Sequence, residues 1–386
     1  MSIWGVISDT HKEDNMNAIP HIMEVFKKKG VNTIIHCGDI EPCHLRPELF
    51  LNLSVVCALT EGQVDKPEFS APPRDWRFTV PGKRIQLVDG VLIYLGHKLS
   101  HDVRTNHESK FKKTLDIIRR DHDGLRAVFA GHTHHQIFIQ DDLVNFINPG
   151  AVQDSYDGYE YAIIDTDRGE ITFGRISKTR PAKKSFSIGV ISDSLNISDI
   201  DTEIWHKFVQ EMKDRGINHI IHCGNIALHD IGRKELDNFR VYCNLRPDQL
   251  SKKPSCPKNW KLIDPTNPVI EINDYRFCVQ LDLGATLIEK SEFDAQKLSL
   301  DLRRKYPEIS FILYGFTKDA FMEEGDQVRI ISPGDLVKGR NFATITLPTT
   351  EITFSHVPID PLSPIQLSCP KKLRRKTHKA ILAPGG

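Results

Sequence analysis

The fold is decided by the stretch IWGVISDTH, residues 3–11, in which an apolar run leads directly into Asp9. A short apolar run rich in β-branched residues is typical of a buried strand. A second such run, TIIHC at residues 33–37, leads into Asp39. Between the two runs, apolar residues recur at helical spacing over residues 19–26. The stretch therefore predicts a strand–helix–strand unit whose strands both end at an aspartate.

The segments that follow extend this pattern. Apolar spacing predicts a helix around residues 111–118, a strand at 127–130 and a hairpin over 137–147. Alternating strands and helices followed by a run of strands suit two facing sheets with helices outside. We therefore expect an α/β fold, a two-sheet αββα sandwich.

The same segments return in the second part of the chain. The matches are GVISDT (5–10) with GVISDS (189–194), IIHCGD (34–39) with IIHCGN (220–225), and NPG (148–150) with SPG (332–334). The period is far longer than the roughly 20–50 residues of a solenoid repeat. The repeat therefore predicts a duplicated whole domain.

The repeat also predicts domain boundaries. We expect a first copy at 1–178, a linker at 179–184 and a second copy at 185–360, because the linker is polar and contains a proline. Residues 361–386 are rich in lysine, arginine and proline, so we expect a basic, disordered tail.

Acidic and histidine side chains follow the predicted strands of the first copy. They are Asp9, His11, Asp39, His97, His132 and His134. Sites in α/β sheets collect at the carboxyl ends of strands, where neighbouring side chains can converge. Carboxylates and imidazoles are the ligands that Mn, Fe, Zn and Ni accept in proteins. The pattern therefore predicts a metal site in the first copy.

This ordered set, Asp-x-His, Gly-Asp, an isolated His and Gly-His-x-His, resembles the calcineurin-like metallophosphoesterase superfamily. The likeness is greatest to its small bacterial and archaeal phosphodiesterases, a branch that also contains a metal-poor scaffold subunit of the eukaryotic retromer. The resemblance covers the whole first copy. It implies two metals bridged by Asp39: the first would be bound by Asp9, His11, Asp39 and His134, the second by Asp39, His97, His132 and a fourth residue.

The chain departs from the family pattern at the fourth ligand. Where the family has Gly-Asn-x-Asp, this chain has Gly62-Gln63-Val64-Asp65. We predict Gln63 as the ligand, because its amide offers the same carbonyl oxygen, and Glu61 as the alternative. The histidine that best-known members carry after the asparagine is replaced by Val64. The candidate proton donors are therefore Asp65, His101 and His135.

The second copy has lost most of these ligands. The counterparts of His11, Asp39, His97 and His134 are Leu195, Asn225, Leu281 and Lys318. Such a set cannot hold two divalent ions. Because small members of the resembled branch commonly self-associate, we expect a pseudoenzyme copy that braces the first as an intramolecular dimer partner.

Composition narrows the functional classes. The chain has 386 residues with 51 basic and 51 acidic side chains, which disfavours nucleic-acid binding except through the basic tail. No apolar run is long enough to span a membrane. The eight cysteines form no Cys-x-x-Cys pair, and the first residues do not resemble a secretory signal, so we expect a cytoplasmic protein.

Together these observations predict a metal-dependent phosphodiesterase that acts through the first copy. Asp39 is expected to bridge two divalent ions, with Mn²⁺ as first choice and Ni²⁺, Fe²⁺, Zn²⁺ or Mg²⁺ as alternatives. The expected substrate is a phosphate ester, with nucleotides and cyclic nucleotides among the candidates. Two alternatives stay open: a non-catalytic scaffold that binds other proteins, and a nuclease of the same superfamily.

Overall fold

A computed structural model gives the positions of most of the chain. The described residues are 2–10, 18–99, 108–140, 144–152, 158–177, 185–194, 199–252, 254–281, 295–315, 317–325 and 328–357. We call residues 2–177 the N-terminal half and 185–357 the C-terminal half. The predicted linker at 179–184 and the predicted tail at 361–386 lie outside the described residues.

The elements alternate between strands and helices in both halves. In the N-terminal half they are β1 (Ile3–Ile7), α1 (Ala18–Lys29), β2 (Thr33–His36), β3 (Ser54–Ala58), α2 (Glu61–Val64), β4 (Trp76–Thr79), β5 (Ile85–Val88), β6 (Val91–Leu95), α3 (Glu108–Asp121), β7 (Ala127–Phe129), β8 (Gln136–Ile139), β9 (Asn145–Pro149), β10 (Gly158–Asp165) and β11 (Glu170–Ser177). In the C-terminal half they are β12 (Phe186–Ile191), α4 (Asp199–Asp214), β13 (His219–His222), β14 (Arg240–Asn244), α5 (Pro247–Leu250), β15 (Trp260–Ile263), β16 (Val269–Ile272), β17 (Tyr275–Gln280), α6 (Ala295–Lys305), β18 (Ile309–Tyr314), β19 (Phe321–Glu324), β20 (Arg329–Ser332), β21 (Asn341–Leu347) and β22 (Glu351–His356).

The described strands form two sheets that run through both halves. One has 12 strands in the order β15-β14-β13-β12-β21-β22-β11-β10-β1-β2-β3-β4. The other has 10 strands in the order β16-β17-β18-β20-β19-β8-β9-β7-β6-β5. The predicted α/β fold with two sheets is confirmed. The expectation that each copy has its own sheets is refined, because each half contributes one side of two shared sheets.

The four layers follow from where apolar side chains are buried. A core of residues from both sheets, including Trp4 and Phe129, fills the space between them. Phe26 of α1 and Phe208 of α4 are buried on the outer face of the 12-stranded sheet. Leu115 of α3 lies in a separate cluster on the 10-stranded sheet. Amphipathic helices thus cover both outer faces, as the apolar spacing predicts.

The 12-stranded sheet crosses between the halves where two identical segments pair. Residues 170–173 and 351–354 both read Glu-Ile-Thr-Phe. They lie in β11 and β22, which pair antiparallel with Thr172 opposite Thr353. The hydroxyl oxygens of these two threonines are 2.9 Å apart. Pairing of a segment with its own counterpart is the arrangement of a two-fold symmetric interface.

The 10-stranded sheet crosses in the same way. Strands β8 and β19 pair antiparallel with Phe138 opposite Met322, its counterpart when Asn148 is aligned with Ser332. The ring of Phe138 also lies 4.7 Å from that of Phe354 between centroids. Both sheets are therefore joined about one approximate two-fold axis, with apolar side chains buried along it.

Ion pairs at the edge of this junction repeat the symmetry. Lys29, at the end of α1, lies 3.6 Å from Glu351 of the opposite half. Arg215, directly after α4, pairs with Glu170 of the N-terminal half. The two glutamates are the matching residues of the paired segments. Each half thus holds the other by the same kind of contact.

A buried histidine supports the turn after the second strand of each half. Nδ1 of His36 accepts a hydrogen bond from the backbone N–H of Gly38 at 3.1 Å. The ring proton must therefore be on Nε2, which lies 3.0 Å from the Thr10 hydroxyl. His222 makes the matching pair of bonds in the C-terminal half. Burial lowers the pKa of each imidazole to about 3, so both rings stay neutral.

Among the described residues, no helix is long and apolar enough to cross a membrane.

The shared sheets predict how the N-terminal half behaves alone. A fragment of residues 1–180 would have open edges at β8 and β11 and an exposed Phe138, so we expect it to pair with a second copy. Size-exclusion chromatography with light scattering should report a dimer or larger species.

The matched control uses the symmetry of the pairing. In a dimer of this fragment Thr172 would face its own copy, so Thr172→Lys would place two like charges opposite each other and weaken association. A fragment that is monomeric, folded and as stable as the whole chain would contradict the prediction.

The neutral histidines predict a loss of stability in acid. Because the folded-state pKa of His222 is about 3 and the reference value 6.5, the unfolded chain binds the extra proton. Stability should be complete above pH 6.5 and fall towards pH 3, by at most about 1.4 kcal/mol per pH unit for each such histidine. His222→Gln should reduce this slope, measured by urea unfolding across the range.

The control is His21→Gln, at an exposed position on α1. It should leave the slope unchanged. If the free energy of unfolding depends on pH equally in the wild type and in the His222→Gln variant, protonation of His222 does not cause the loss of stability in acid.

Candidate metal centre

Two pairs of parallel strands, one in each sheet, bring the predicted ligands together. Strands β1 and β2 are parallel neighbours, and Asp9 and Asp39 follow them within three residues. Strands β6 and β7 are parallel neighbours in the other sheet and precede His97 and the His132–His134 segment. The carboxyl ends of both pairs meet at one end of the core. The site therefore lies across the two sheets.

Four of these residues have left-handed backbone. The φ angles are +57° at Asp9, +58° at Asp39, +70° at His132 and +60° at His134. Such angles are uncommon for residues other than glycine and store backbone strain, which clusters at functional sites. The sharp turn lets each side chain point across the end of its strand instead of along the sheet face.

The ligand atoms of Asp9, Asp39 and His97 lie within 4.8 Å of one another. Nε2 of His134 lies 3.2 Å from Oδ1 of Asp9. The ring of His132 lies 5.2 Å from that of His97 between centroids. Five of the six acidic and histidine ligands predicted from the sequence are thus in one group. The sixth, His11, lies outside the described residues.

Asp9 is the electrostatic centre of this group. Its side chain is fully buried, and Oδ2 accepts a hydrogen bond from the backbone N–H of His132 at 3.1 Å. Oδ1 is closed off from solvent and has no hydrogen bond of good geometry among the described residues. Burial alone would raise the pKa of Asp9, but His134, His97 and Ser8 outweigh it and hold the pKa below its usual value. The carboxylate is therefore charged, and the imidazoles of His134 and His97 lie 3.2 Å and 3.9 Å from its Oδ1.

The backbone orients His97 for ligation. Its Nδ1 lies 3.1 Å from the carbonyl oxygen of Cys37, so that nitrogen carries the proton and Nε2 is left as the donor atom. Gly38 makes this approach possible, because a Cβ there would lie 2.6 Å from Cβ of His97. Fixing the second ring nitrogen is a common way to orient a metal-binding histidine.

The Asn-Pro-Gly segment clamps the histidine loop. Nδ2 of Asn148 donates to the carbonyl of Gly131 at 3.0 Å and to the hydroxyl of Thr133 at 2.8 Å, and Oδ1 accepts from Gly150 N–H at 3.1 Å. Gly131 is required, since a Cβ there would lie 1.8 Å from Oγ of Ser8. Sequence reasoning missed this positioning role of Asn148. The signal that could have indicated it is the recurrence of the segment in the repeat.

Gln63 is not directed towards this group. Its Oε1 accepts from the backbone N–H of Thr60 at 2.9 Å, and its Nε2 donates to the carbonyl of Ile40 at 2.7 Å. Together with Thr60 it forms the capping box of α2. Gln249 makes the matching bonds in the C-terminal half, which lacks the ligand set. One polar atom of the Gln63 amide thus serves the cap and the other ties α2 to the loop after β2, which are structural roles different from the predicted ligation.

The candidate proton donors lie at the margins of the site. His135 is exposed and directly follows His134. Asp65 is exposed at the end of α2, and the alternative ligand Glu61 is exposed at its start. His101 lies outside the described residues.

The corresponding position in the C-terminal half keeps the turns but has different side-chain contacts. Asp193 and Asn225 keep left-handed backbone, with φ of +53° and +61°. Nδ2 of Asn225 donates to Oδ1 of Asp193 at 2.6 Å, so the amide satisfies the aspartate directly. Leu281 stands against Gly224 as His97 stands against Gly38, since a Cβ on either glycine would meet that side chain. The turn geometry persists without the ligand chemistry.

The donor set of the N-terminal half fits a divalent first-row metal. It combines carboxylate and imidazole donors, an oriented Nε2 and a buried carboxylate oxygen without a hydrogen bond. Manganese, iron, nickel and zinc all accept such ligands.

Comparisons with known proteins agree with this geometry. The model of the calcineurin-like phosphoesterase superfamily domain matches residues 1–169. A phosphodiesterase of Methanocaldococcus jannaschii is 28% identical over 167 residues, which cover 43% of this chain and 94% of that protein. A "probable metallophosphoesterase" of Methanothermobacter thermautotrophicus is 30% identical over 159 residues, 38% of this chain and 75% of that protein.

Among solved structures, an archaeal phosphodiesterase matches with 21% identity over 45% of this chain and 99% of its own, at a TM-score of 0.35. All these matches involve less than half of this chain. The family match covers the residues that carry the strand-end aspartates and histidines. Through its N-terminal half, the chain belongs to the calcineurin-like phosphoesterase superfamily.

Proposed function

We propose that the protein is a metal-dependent phosphodiesterase whose active site is the group around Asp9, Asp39 and His97. The observation that carries this proposal is the convergence of these ligand atoms within 4.8 Å around the buried Oδ1 of Asp9, which has no hydrogen bond of good geometry among the described residues. A charged, buried oxygen of this kind is costly unless a cation is present. Family membership supports a hydrolase that acts on phosphate esters.

Each ligand has a distinct part in this proposal. Asp39, whose ligand atom lies within 4.8 Å of those of both Asp9 and His97, would bridge two ions. Asp9 and His134, with His11, would bind the first ion, and His97 and His132 the second. Divalent ions in such a site supply an activated water and neutralise the charge of the phosphoryl group. The strained, clamped loops hold the ligands in place before substrate arrives, which limits reorganisation during the reaction.

We assign Gln63 a structural role in place of the predicted ligand role, because its Oε1 caps α2 and its Nε2 bonds to the carbonyl of Ile40. The second ion would then have one protein ligand fewer and bind more weakly than the first. His135 and Asp65 stay candidates for protonating the leaving group, since each is exposed where substrate could reach it.

For the C-terminal half we propose a pseudoenzyme domain, produced by tandem duplication, that braces the N-terminal half like a dimer partner. The self-matching pairs at Thr172–Thr353 and Phe138–Met322 support this proposal. So does the Asn225–Asp193 bond, which occupies the position of the metal centre with a neutral donor. The proposed domain bounds are those of the sequence repeat, 1–178 and 185–360.

We further propose Mn²⁺ as the first metal to test and a phosphodiester, including nucleotides, as substrate. None of the seven described cysteines forms a disulfide, which supports a reducing, cytoplasmic location. A scaffold function is the second candidate. The capping role of Gln63 favours it, because an incomplete second metal site would suit a fold retained for binding other proteins.

The test is Asp39→Asn. We expect kcat/KM for bis(p-nitrophenyl) phosphate with Mn²⁺, Ni²⁺ or Mg²⁺ to fall by more than about 100-fold. Removing a partner of a metal ligand already costs about 10–100-fold, and Asp39 is the proposed bridge itself. Metal binding measured by titration calorimetry should weaken in parallel.

The control is Asp75→Asn, which removes the same charge from an exposed residue with the same left-handed backbone, φ +65°. It should retain full activity. If the wild type shows no metal-dependent turnover, or if Asp39→Asn leaves turnover unchanged, the scaffold function is favoured.

A further inference from the structure

A cavity of about 220 Å³ lies where the two halves meet, away from the metal ligands named above. Its lining includes Arg175 and Ser177 from the N-terminal half and Arg303, Ser310, Glu324 and Arg329 from the C-terminal half. With Tyr275, Thr349 and Thr350 counted, three guanidinium groups, five hydroxyl-bearing residues and one carboxylate line the cavity. The cavity exists only because both halves contribute walls to it.

Glu324, the carboxylate in the lining, forms an ion pair with one of the three arginines, Arg175. Arg175 donates to both Glu324 and Glu160. Burial raises the pKa of Glu160, although its ion pair with Arg175 acts in the opposite direction. Burial would also raise the pKa of Glu324, but Arg175 and Arg329 hold it below its usual value, so Glu324 is charged. Among the lining residues, Glu324 is thus the one acid beside three arginines.

Arg329 is the most deeply buried of the three arginines. Its side chain is buried, and Nη1 donates to the carbonyl of Thr350. Nη2 has no hydrogen-bond acceptor among the described residues. Two carboxylates adjacent in sequence to lining residues, Glu351 and Glu308, lie outside the lining and pair with Lys29 and Arg276. A buried guanidinium with an unmet donor is costly unless an acceptor is supplied.

The size of the cavity limits which ligand could supply such an acceptor. Drug-sized ligands occupy about 300–1,000 Å³, so this space is too small for a nucleotide. At about 30 Å³ per water, it is large enough for a small anion with part of its hydration. Arginine forks and hydroxyls are the groups that bind tetrahedral oxyanions through charge-assisted hydrogen bonds.

We propose that this cavity between the halves is a binding site for a phosphate-sized oxyanion, held by Arg303, Arg175 and Arg329. It is separate from the proposed metal centre and needs no catalysis there. Since the lining comes from both halves, the anion binds the joined chain only and stabilises the junction.

The experiment uses the full chain stripped of metal with EDTA and titrated with inorganic phosphate, against sodium chloride at equal ionic strength. We expect the melting temperature to rise saturably with phosphate, because a ligand that binds only the folded state stabilises it. Arg303→Gln should weaken the apparent affinity by about tenfold or more, the effect of losing one charge-assisted hydrogen bond.

The matched control is Arg304→Gln on the same helix, whose side chain is 72% exposed and pairs with Asp301 outside the cavity. It should bind phosphate as the wild type does. Because Arg329→Met could prevent folding, Arg303→Gln is the deciding variant. The proposal would be overturned if phosphate gave no saturable rise in melting temperature, or if Arg303→Gln and Arg304→Gln had equal effects. It would also be overturned if Asp39→Asn abolished the rise while Arg303→Gln did not.

Discussion

The structure depends on the antiparallel pairing of β11 with β22 and of β8 with β19. An open strand edge exposes unpaired N–H and C=O groups, and here each half has one such edge in each sheet. Pairing each edge with its counterpart closes them together and buries Phe138 and Phe354 between the sheets. The cores of the two halves thereby become continuous, so the chain needs both halves to complete either sheet.

The same junction shapes the surroundings of the metal centre. Strand β8 pairs with β19 and directly follows the histidine loop, while Glu324 of β19 reaches Arg175 and, electrostatically, His135. The N-terminal half carries the ligands, but their setting includes charge from the C-terminal half. This arrangement explains how a half without metal ligands can matter to the site, and it also creates the arginine-lined cavity between them.

Much of this was predictable from local sequence. The predicted helix over 19–26 is α1 (Ala18–Lys29), and the predicted strand at 127–130 is β7, because apolar periodicity reports burial directly. The strand-end aspartates and histidines converge since parallel strands end at one edge. Gln63 could not be judged in this way. Its residue type suits ligation, but the capping bond to Thr60 depends on the position of its backbone in α2.

By itself, the sequence determined the α/β class, the repeat and the acidic and histidine residues that follow the strands, because these rest on period, order and residue chemistry. Only the tertiary structure decided that the sheets are shared, that Asn148 clamps the histidine loop and that Asn225 satisfies Asp193. These features depend on which strands meet across the junction and on where single side-chain atoms point. Residues far apart in the chain set both, through hydrogen bonds and packing that no local pattern encodes.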